Sequence, residues 1–426
     1  MPDRRESNMV NGAANGAGKL IAALDIGTAK ICCFIAEDDG EGVLRVLGVG
    51  HKVSRGMKNG AVVDMDAAEA AIREAVHAAE SMAGETIRTV AINLSAGRPH
   101  SQRFAVEVAL GGHEVGESDI KQVLDEGFRL PVPDDRTAVH LRAVNYSIDG
   151  TGGIRDPRGL YGDQLGVIMH MVTVARGAVR NLTACVGRCH LEIEDLVLSS
   201  YAAGRAVLVE DELSLGAVCI DLGAGASAIG AFSQGELIYA DSVPVGGAHI
   251  TNDIAYCLST APAEAERLKT LHGSAIAGGT DERQMIDVPE VGETPDAGPN
   301  HISRARLIEI IRPRVEETFE LARDRITAAG LDEMSGRRVV LTGGASQLSG
   351  VREVAAQILD CPVRLGKPQP IRGLAASTSG PAFSTCAGLL AHVADRETRP
   401  TARRIVSARD KVAGFGRIGQ WLRENF

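Results

Sequence analysis

Aromatic side chains are scarce, at 3% of the 426 residues, and tryptophan occurs once, at Trp421. A core short of rings is filled by small aliphatic groups, and the abundance of Ala, Gly and Val fits an α/β protein whose strands are buried under Ala-rich helices. Long apolar runs are also missing, so nothing in the chain offers the roughly 20 apolar residues that a spanning helix requires. The eight cysteines show neither a pairing framework nor a two-plus-two metal spacing, which makes a reducing cytoplasm the simplest setting. Cys185 and Cys189, with His190, lack a second ligand pair and read as small hydrophobes on a helix. Residues 1–19 have no apolar core and read as a disordered tail, not a signal peptide. At a net charge of −10 the chain calls for no nucleic-acid partner.

The one tryptophan sits in a segment that differs from the rest. Over residues 414–426, at the helical period, Phe415, Ile418, Trp421, Leu422 and Phe426 gather in an arc of roughly 140°, with Arg417, Gln420, Arg423 and Glu424 opposite. Too short to span, this segment is expected to lie in a membrane interface, and Gly416 and Gly419 keep it a poor helix until a surface stabilises it. Residues 395–413 before it are polar and Arg-rich, with Pro400, and read as a flexible basic linker. Basicity beside an apolar helix in an acidic chain points to anionic lipid, at about 1 kcal/mol per Lys or Arg.

A chain of this length exceeds one ordinary core and predicts two lobes. An internal echo supports that. Residues 20–36 (LIAALDIGTAKICCFIA) and 217–232 (AVCIDLGAGASAIGAF) each run apolar strand, Asp, Gly-containing turn, apolar strand. Such a turn presents backbone N–H groups to a phosphate, and the Asp leading into it suits Mg²⁺ or its waters. Two such hairpins would let two lobes grip one nucleotide. A third element, residues 337–354, ends a strand in Gly343-Gly344 and passes through Ser346 towards a helix, letting a flat ring approach the backbone.

At these residues the chain resembles the actin, Hsp70 and sugar-kinase ATPase superfamily and, within it, is similar to the FtsA family of bacterial cell-division proteins. The resemblance covers nearly the whole chain. It implies an α/β, actin-like ATPase fold: two lobes of duplicated RNase H-like architecture with an inserted subdomain in the first. The implied nucleotide-binding residues are Asp25, Gly27, Thr28 and Lys30 in the first phosphate motif and Asp221, Gly223, Ala224 and Gly225 in the second. Gly343, Gly344 and Ser346 fall in the adenosine motif, and Glu266 and Lys269 match the pair that reaches ribose and base. ATP and Mg²⁺ are the implied cofactors, with Asp25 and Asp221 on the metal. Residues 199–212 and 384–393 resemble the two small-residue helices of the interlobe hinge.

The implied organisation places the first lobe core in 20–94 and 171–213, the FtsA-type insertion in 95–170, and the second lobe core in 214–245 and 337–394. The insertion contains alternating apolar stretches, an Asp119-led helix and a Gly/Asp/Pro-rich loop at 148–162. An outer subdomain fills 246–336; its stretch 277–300 is Gly/Pro/acid-rich and expected to be mobile, and Ser303 can cap a helix bearing Arg304, Arg306, Arg312 and Arg314. In the family this region receives the acidic C-terminal peptide of FtsZ, and Arg304 and Arg306 are the implied contacts.

For catalysis the chain departs from the pattern. Ala224, Ala226 and Ser227 stand where the family often has a third Gly and then Thr, and no Glu, Gln or His near residues 199–203 serves as a water-positioning base. Catalytic residues are therefore left unassigned, and firm Mg-ATP binding with weak or no hydrolysis is expected. The implied function is an actin-like protein that forms filaments with itself on the cytoplasmic face of the inner membrane, anchors FtsZ at the septum and recruits other division proteins. A sugar kinase would need a carboxylate base and a sugar pocket; a type IV pilus assembly protein would be expected to lack the Trp421 segment.

Overall fold

The computed structural model describes residues 18–39, 43–289, 291, 300–332 and 338–398. The interfacial segment with Phe415, Arg417, Ile418, Trp421, Leu422, Arg423 and Phe426, most of the linker before it and nearly all of the N-terminal tail lie outside the described residues. Among the described residues no helix is long and apolar enough to cross a membrane.

Two five-stranded sheets share one topology. In the first the strands lie in the order Glu192–Leu198, Thr89–Leu94, Lys19–Ile26, Lys30–Asp38, Leu44–Val53. In the second the order is Val363–Leu365, Val339–Thr342, Ala217–Leu222, Ser227–Ser233, Glu236–Val243. Each is an antiparallel three-stranded meander extended by two parallel strands. The sequence echo is thus a repeat of whole sheets.

Small side chains make this packing possible. Ala68, Ala71, Ala75 and Ala79 form the buried face of the helix Met65–Ala83, whose N-terminus is capped by Asp64 accepting from the N–H groups of Asp66 and Ala67 at 3.1 and 3.0 Å. That face lies on the strand Leu44–Val53 so closely that a Cβ at Gly50 would stand 1.9 Å from the Ala75 carbonyl oxygen. At the hinge, the helices Ser199–Val207 and Ser384–Thr398 approach more closely still: a Cβ at Gly388 would stand 1.8 Å from the Ala202 carbonyl oxygen. At Gly50 and Gly388 themselves no side chain fits.

Two expectations need correction here. The first hinge helix does not run through residues 199–212; it stops at Val207, the chain is extended at Leu208 and Val209, and a second helix spans Glu210–Leu215. The break is fixed by buried Glu212, which accepts from the Val209 N–H at 3.1 Å and pairs with Arg364 and Arg338 of the second lobe. The second hinge helix continues to Thr398, into the expected linker, with Asp395 ion-paired to Arg205.

The inserted subdomain is a four-stranded sheet in the order His100–Ala109, Gln164–Ala175, Arg136–Ile148, Thr151–Ile154, packed under the helix Glu117–Gly127 around Val123, Leu165, Met169 and Met171. Its last long strand runs through residue 170 to Ala175 without interruption. The subdomain is seated on the hinge by buried rings: the centroid of His140 lies 5.3 Å from that of Tyr201, and Tyr201 lies 5.6 Å from His392. In the outer part of the second lobe, the helices Gly247–Cys257, Pro262–His272 and Arg304–Ala328 share a core with the second sheet. Ser303 caps the last of these by accepting from the Arg306 N–H at 3.3 Å. The expectation of mobility across 277–300 is corrected over its described part, because Met285–Val288 pairs with Asn300–Ser303 and buries Ile286 and Val288.

Candidate functional site

The lobes face each other across a cleft of about 720 Å³, and the turns of both repeated hairpins open into it. The two turns have one backbone design. The Gly27 N–H donates to the Lys30 carbonyl at 3.0 Å, and the Gly223 N–H to the Ala226 carbonyl at 3.1 Å. A Cβ at either glycine would stand 2.8 or 2.7 Å from that same oxygen, so both positions exclude a side chain.

Asp25 and Asp221 are the last polar groups before the turns, and both line the cleft. Burial pushes the Asp25 carboxyl up to about 7, partly offset by the charge of Lys30 and reinforced by Asp221. Burial raises Asp221 as well, opposed first by the Thr385 hydroxyl, which donates to it at 2.9 Å, and then by Lys30. Lys30 is thus the cation that acts on both carboxyl groups. The Lys30 ammonium donates to the Ala382 carbonyl and stands 3.4 Å above the Phe383 ring centroid. Thr28 turns its hydroxyl to the Gly60 N–H at 2.9 Å.

At the far end of the cleft, Lys269 donates to the Gly247 carbonyl at 3.0 Å, to the Thr251 hydroxyl at 2.8 Å and to Glu266 at 2.7 Å. Gly343 and Gly344 border the cleft beside Asp221 and Ala382, while Ser346 lies buried behind them, its hydroxyl donating to the Gly343 carbonyl at 2.7 Å. Asp25, Gly27, Thr28, Lys30, Asp221, Gly223, Ala224, Gly225, Glu266, Lys269, Gly343 and Gly344 are therefore gathered around one cavity. Arg304 also borders it, held by buried Asp281 at 2.7 Å and by the His272 carbonyl at 2.9 Å. Arg306 stands elsewhere, exposed and paired with Glu309 at 2.9 Å. The other arginines of that helix are likewise matched by acids, Arg312 by Glu316 and Arg314 by Asp253 and Glu317.

Sequence reasoning missed several cleft residues. Gly60 follows Asn59, and their φ angles of 76° and 49° make a tight turn between the paired segments Met57–Lys58 and Ala61–Val62. The Asn-Gly pair was a legible signal for it. Asn93, Ser199 and Thr385 carry no such mark and meet only through topology. Asn93 accepts from the Ile26 N–H at 2.7 Å and donates to the Ser199 hydroxyl at 3.1 Å, which commits its amide to holding the first hairpin.

Duplicated sheets with a cleft between matching hairpins define an actin-like ATPase fold. In the solved PilM-PilN type IV pilus biogenesis complex, a chain matches 88% of this one and 98% of its own length with a TM-score of 0.60 at 16% identity. The ADP-bound MreB5 of Spiroplasma citri matches 89% of this chain and 99% of its own, with a TM-score of 0.53 at 12% identity. Sequence narrows the class. A family model described as cell division protein FtsA matches residues 218–388, and one described as the SHS2 domain inserted in FtsA matches residues 96–173. The cell division protein FtsA of Rhizobium meliloti (strain 1021) is 44% identical over 96% of this chain and 95% of its own. That of Escherichia coli (strain K12) is 31% identical over 96% and 98%. The chain belongs to the FtsA family of cell-division proteins.

Proposed function

We propose that this protein binds Mg-ATP between its lobes, assembles with itself into filaments and ties FtsZ polymers to the cytoplasmic face of the inner membrane at the division septum, where it recruits other division proteins. The observation that carries the reading is the pair of matching hairpins, each led by an Asp that lines the cleft, converging on one cavity in a chain of a cell-division family. The MreB5 structures with ADP and AMPPNP support nucleotide as the ligand of this fold.

The turns of the two hairpins would take the phosphates on their N–H groups, with Lys30 as the positive charge, while Glu266 and Lys269 would meet the ribose and base beside Gly343 and Gly344. Asp25 and Asp221 fit Mg²⁺, because both carboxyl groups line the cleft and the ion would add to the single positive charge of Lys30; bound there, it would screen the phosphate oxygens. Hydrolysis is expected to be slow or undetectable. Ser199, at the head of the hinge helix, is a weak base, and Asn93 is committed to the Ile26 N–H. Nucleotide would then act as a conformational ligand for assembly. Arg304 and Arg306 remain the proposed contacts for the acidic FtsZ peptide, which would compete there with Asp281 and Glu309.

Five modest apolar groups at residues 415–426 give marginal membrane affinity to one molecule, and filament formation multiplies it through effective concentration. The test is co-sedimentation with anionic liposomes, with and without Mg-ATP, of the intact chain and a chain truncated after Lys411. Binding that vanishes on truncation and strengthens with Mg-ATP supports the tether; equal binding by both chains, or by neither, refutes it.

A further inference from the structure

The segment between the helix Ser384–Thr398 and the cleft touches both lobes within five residues. The Pro381 carbonyl accepts from the Gly343 N–H at 3.2 Å, the Ala382 carbonyl takes the Lys30 ammonium, and the Thr385 hydroxyl reaches Asp221 at 2.9 Å. Ser384 meets Thr342 hydroxyl to hydroxyl at 2.6 Å. Phe383, at the centre of this strap, is 9% exposed and rigidly backed, stacked on Phe34 at 6.1 Å between centroids and met edge-on by His51 at 5.8 Å. Its open face carries the Lys30 ammonium.

An ammonium set 3.4 Å from a ring centroid in a buried site is attracted by the ring's negative face, and the attraction grows as water is excluded. The ring has no donor or acceptor of its own, so it holds the charge without using up any N–H. The Ala382 carbonyl takes one of the three ammonium N–H groups and leaves the others for a phosphate oxygen.

Resting on the nucleotide reading above, we propose that Phe383 is a positioning residue for Lys30: the ring and the Ala382 carbonyl together hold the ammonium in the cleft, with its remaining N–H groups available to a phosphate.

Two measurements on the full chain test this. The first needs no nucleotide: Lys30 is labelled with an acetylating reagent and followed by mass spectrometry, with Lys52 and Lys58 as internal references. Phe383→Leu, which keeps apolar bulk and removes the ring, is expected to raise Lys30 labelling severalfold, and Phe383→Tyr to restore protection. The second is calorimetry with Mg-ATP and with adenosine. Phe383→Leu is expected to weaken Mg-ATP about tenfold, leave adenosine within twofold and be rescued by Phe383→Tyr. Unchanged Lys30 labelling, or equal losses for Mg-ATP and adenosine, overturns the proposal. Failure of the wild-type chain to bind Mg-ATP overturns the nucleotide reading instead, and the labelling result still judges Phe383.

Discussion

The first hairpin, Asp25-Ile26-Gly27-Thr28-Ala29-Lys30, and the second, Asp221-Leu222-Gly223-Ala224-Gly225-Ala226, share a backbone and differ in chemistry. Each begins with an Asp that lines the cleft and closes its turn through a glycine N–H. The first then carries a hydroxyl at Thr28 and a charge at Lys30; the second has alanine at both places. Repetition has kept the phosphate-sized turn in both lobes and left the positive charge in one. In the second lobe, room replaces charge: a Cβ at Gly225 would stand 2.7 Å from the Asn59 Cα, so the bare turn lets the lobes close on each other. One lobe supplies charge and the other supplies fit.

Erasing that difference should have the largest effect. Lys30→Ala gives the first hairpin the side chain of the second and removes the charge seated between Ala382 and Phe383. Mg-ATP affinity is expected to fall about 100-fold, roughly 2.7 kcal/mol, by calorimetry. If the loss is under threefold, the asymmetry has no energetic meaning.

The shared part is tested by Gly27→Ala against Gly223→Ala. The added Cβ meets a carbonyl oxygen at 2.8 Å in one and 2.7 Å in the other, so each is expected to lower stability by about 2 kcal/mol in urea unfolding, with the pair agreeing closely. Unequal losses would mean that the turns are alike only in outline.

The Asp25 carboxyl makes both stability and binding depend on pH. Asp25, with its folded value raised to about 7 against an ordinary 3.8, holds a proton in the folded protein that the unfolded chain gives up. Stability of the nucleotide-free protein from this group is therefore present at low pH and lost as pH rises through about 7. Mg-ATP selects the ionised carboxylate, so its affinity is expected to rise up to about tenfold from pH 6 to pH 8, and Asp25→Asn to flatten that rise. A profile unchanged in Asp25→Asn would assign the titration to another group. The smallest effect is expected of Ala224→Thr, which gives the second hairpin the hydroxyl of the first. Without a matching charge at residue 226, affinity should change by no more than about threefold.

Much of this was legible in the chain. A strand period, an Asp and a glycine turn, repeated about two hundred residues apart, fixed the two lobes and most of the cleft's border, because a phosphate-binding turn is a local backbone feature. The Ser303 cap could be read for the same reason, its hydroxyl accepting from the Arg306 N–H at 3.3 Å, whereas the helix expected to be led by Asp119 starts earlier, at Glu117, with Asp119 reaching back to the Gly116 N–H at 2.9 Å. What escaped depends on distant partners. The helix break at Leu208 is imposed by Arg364, 152 residues beyond Glu212. Thr385 enters the site because the hinge brings it to Asp221, 164 residues away. Arg304 was read as part of a basic face, yet its charge is spent on Asp281, which no helical period could indicate.

Hydrogen–deuterium exchange of the backbone in the two turns, with and without Mg-ATP, tests the two-lobe grip most directly. The account predicts slowed exchange over residues 27–30 and 223–226 together, at the same nucleotide concentration. Protection of one turn alone, or of neither, would contradict it.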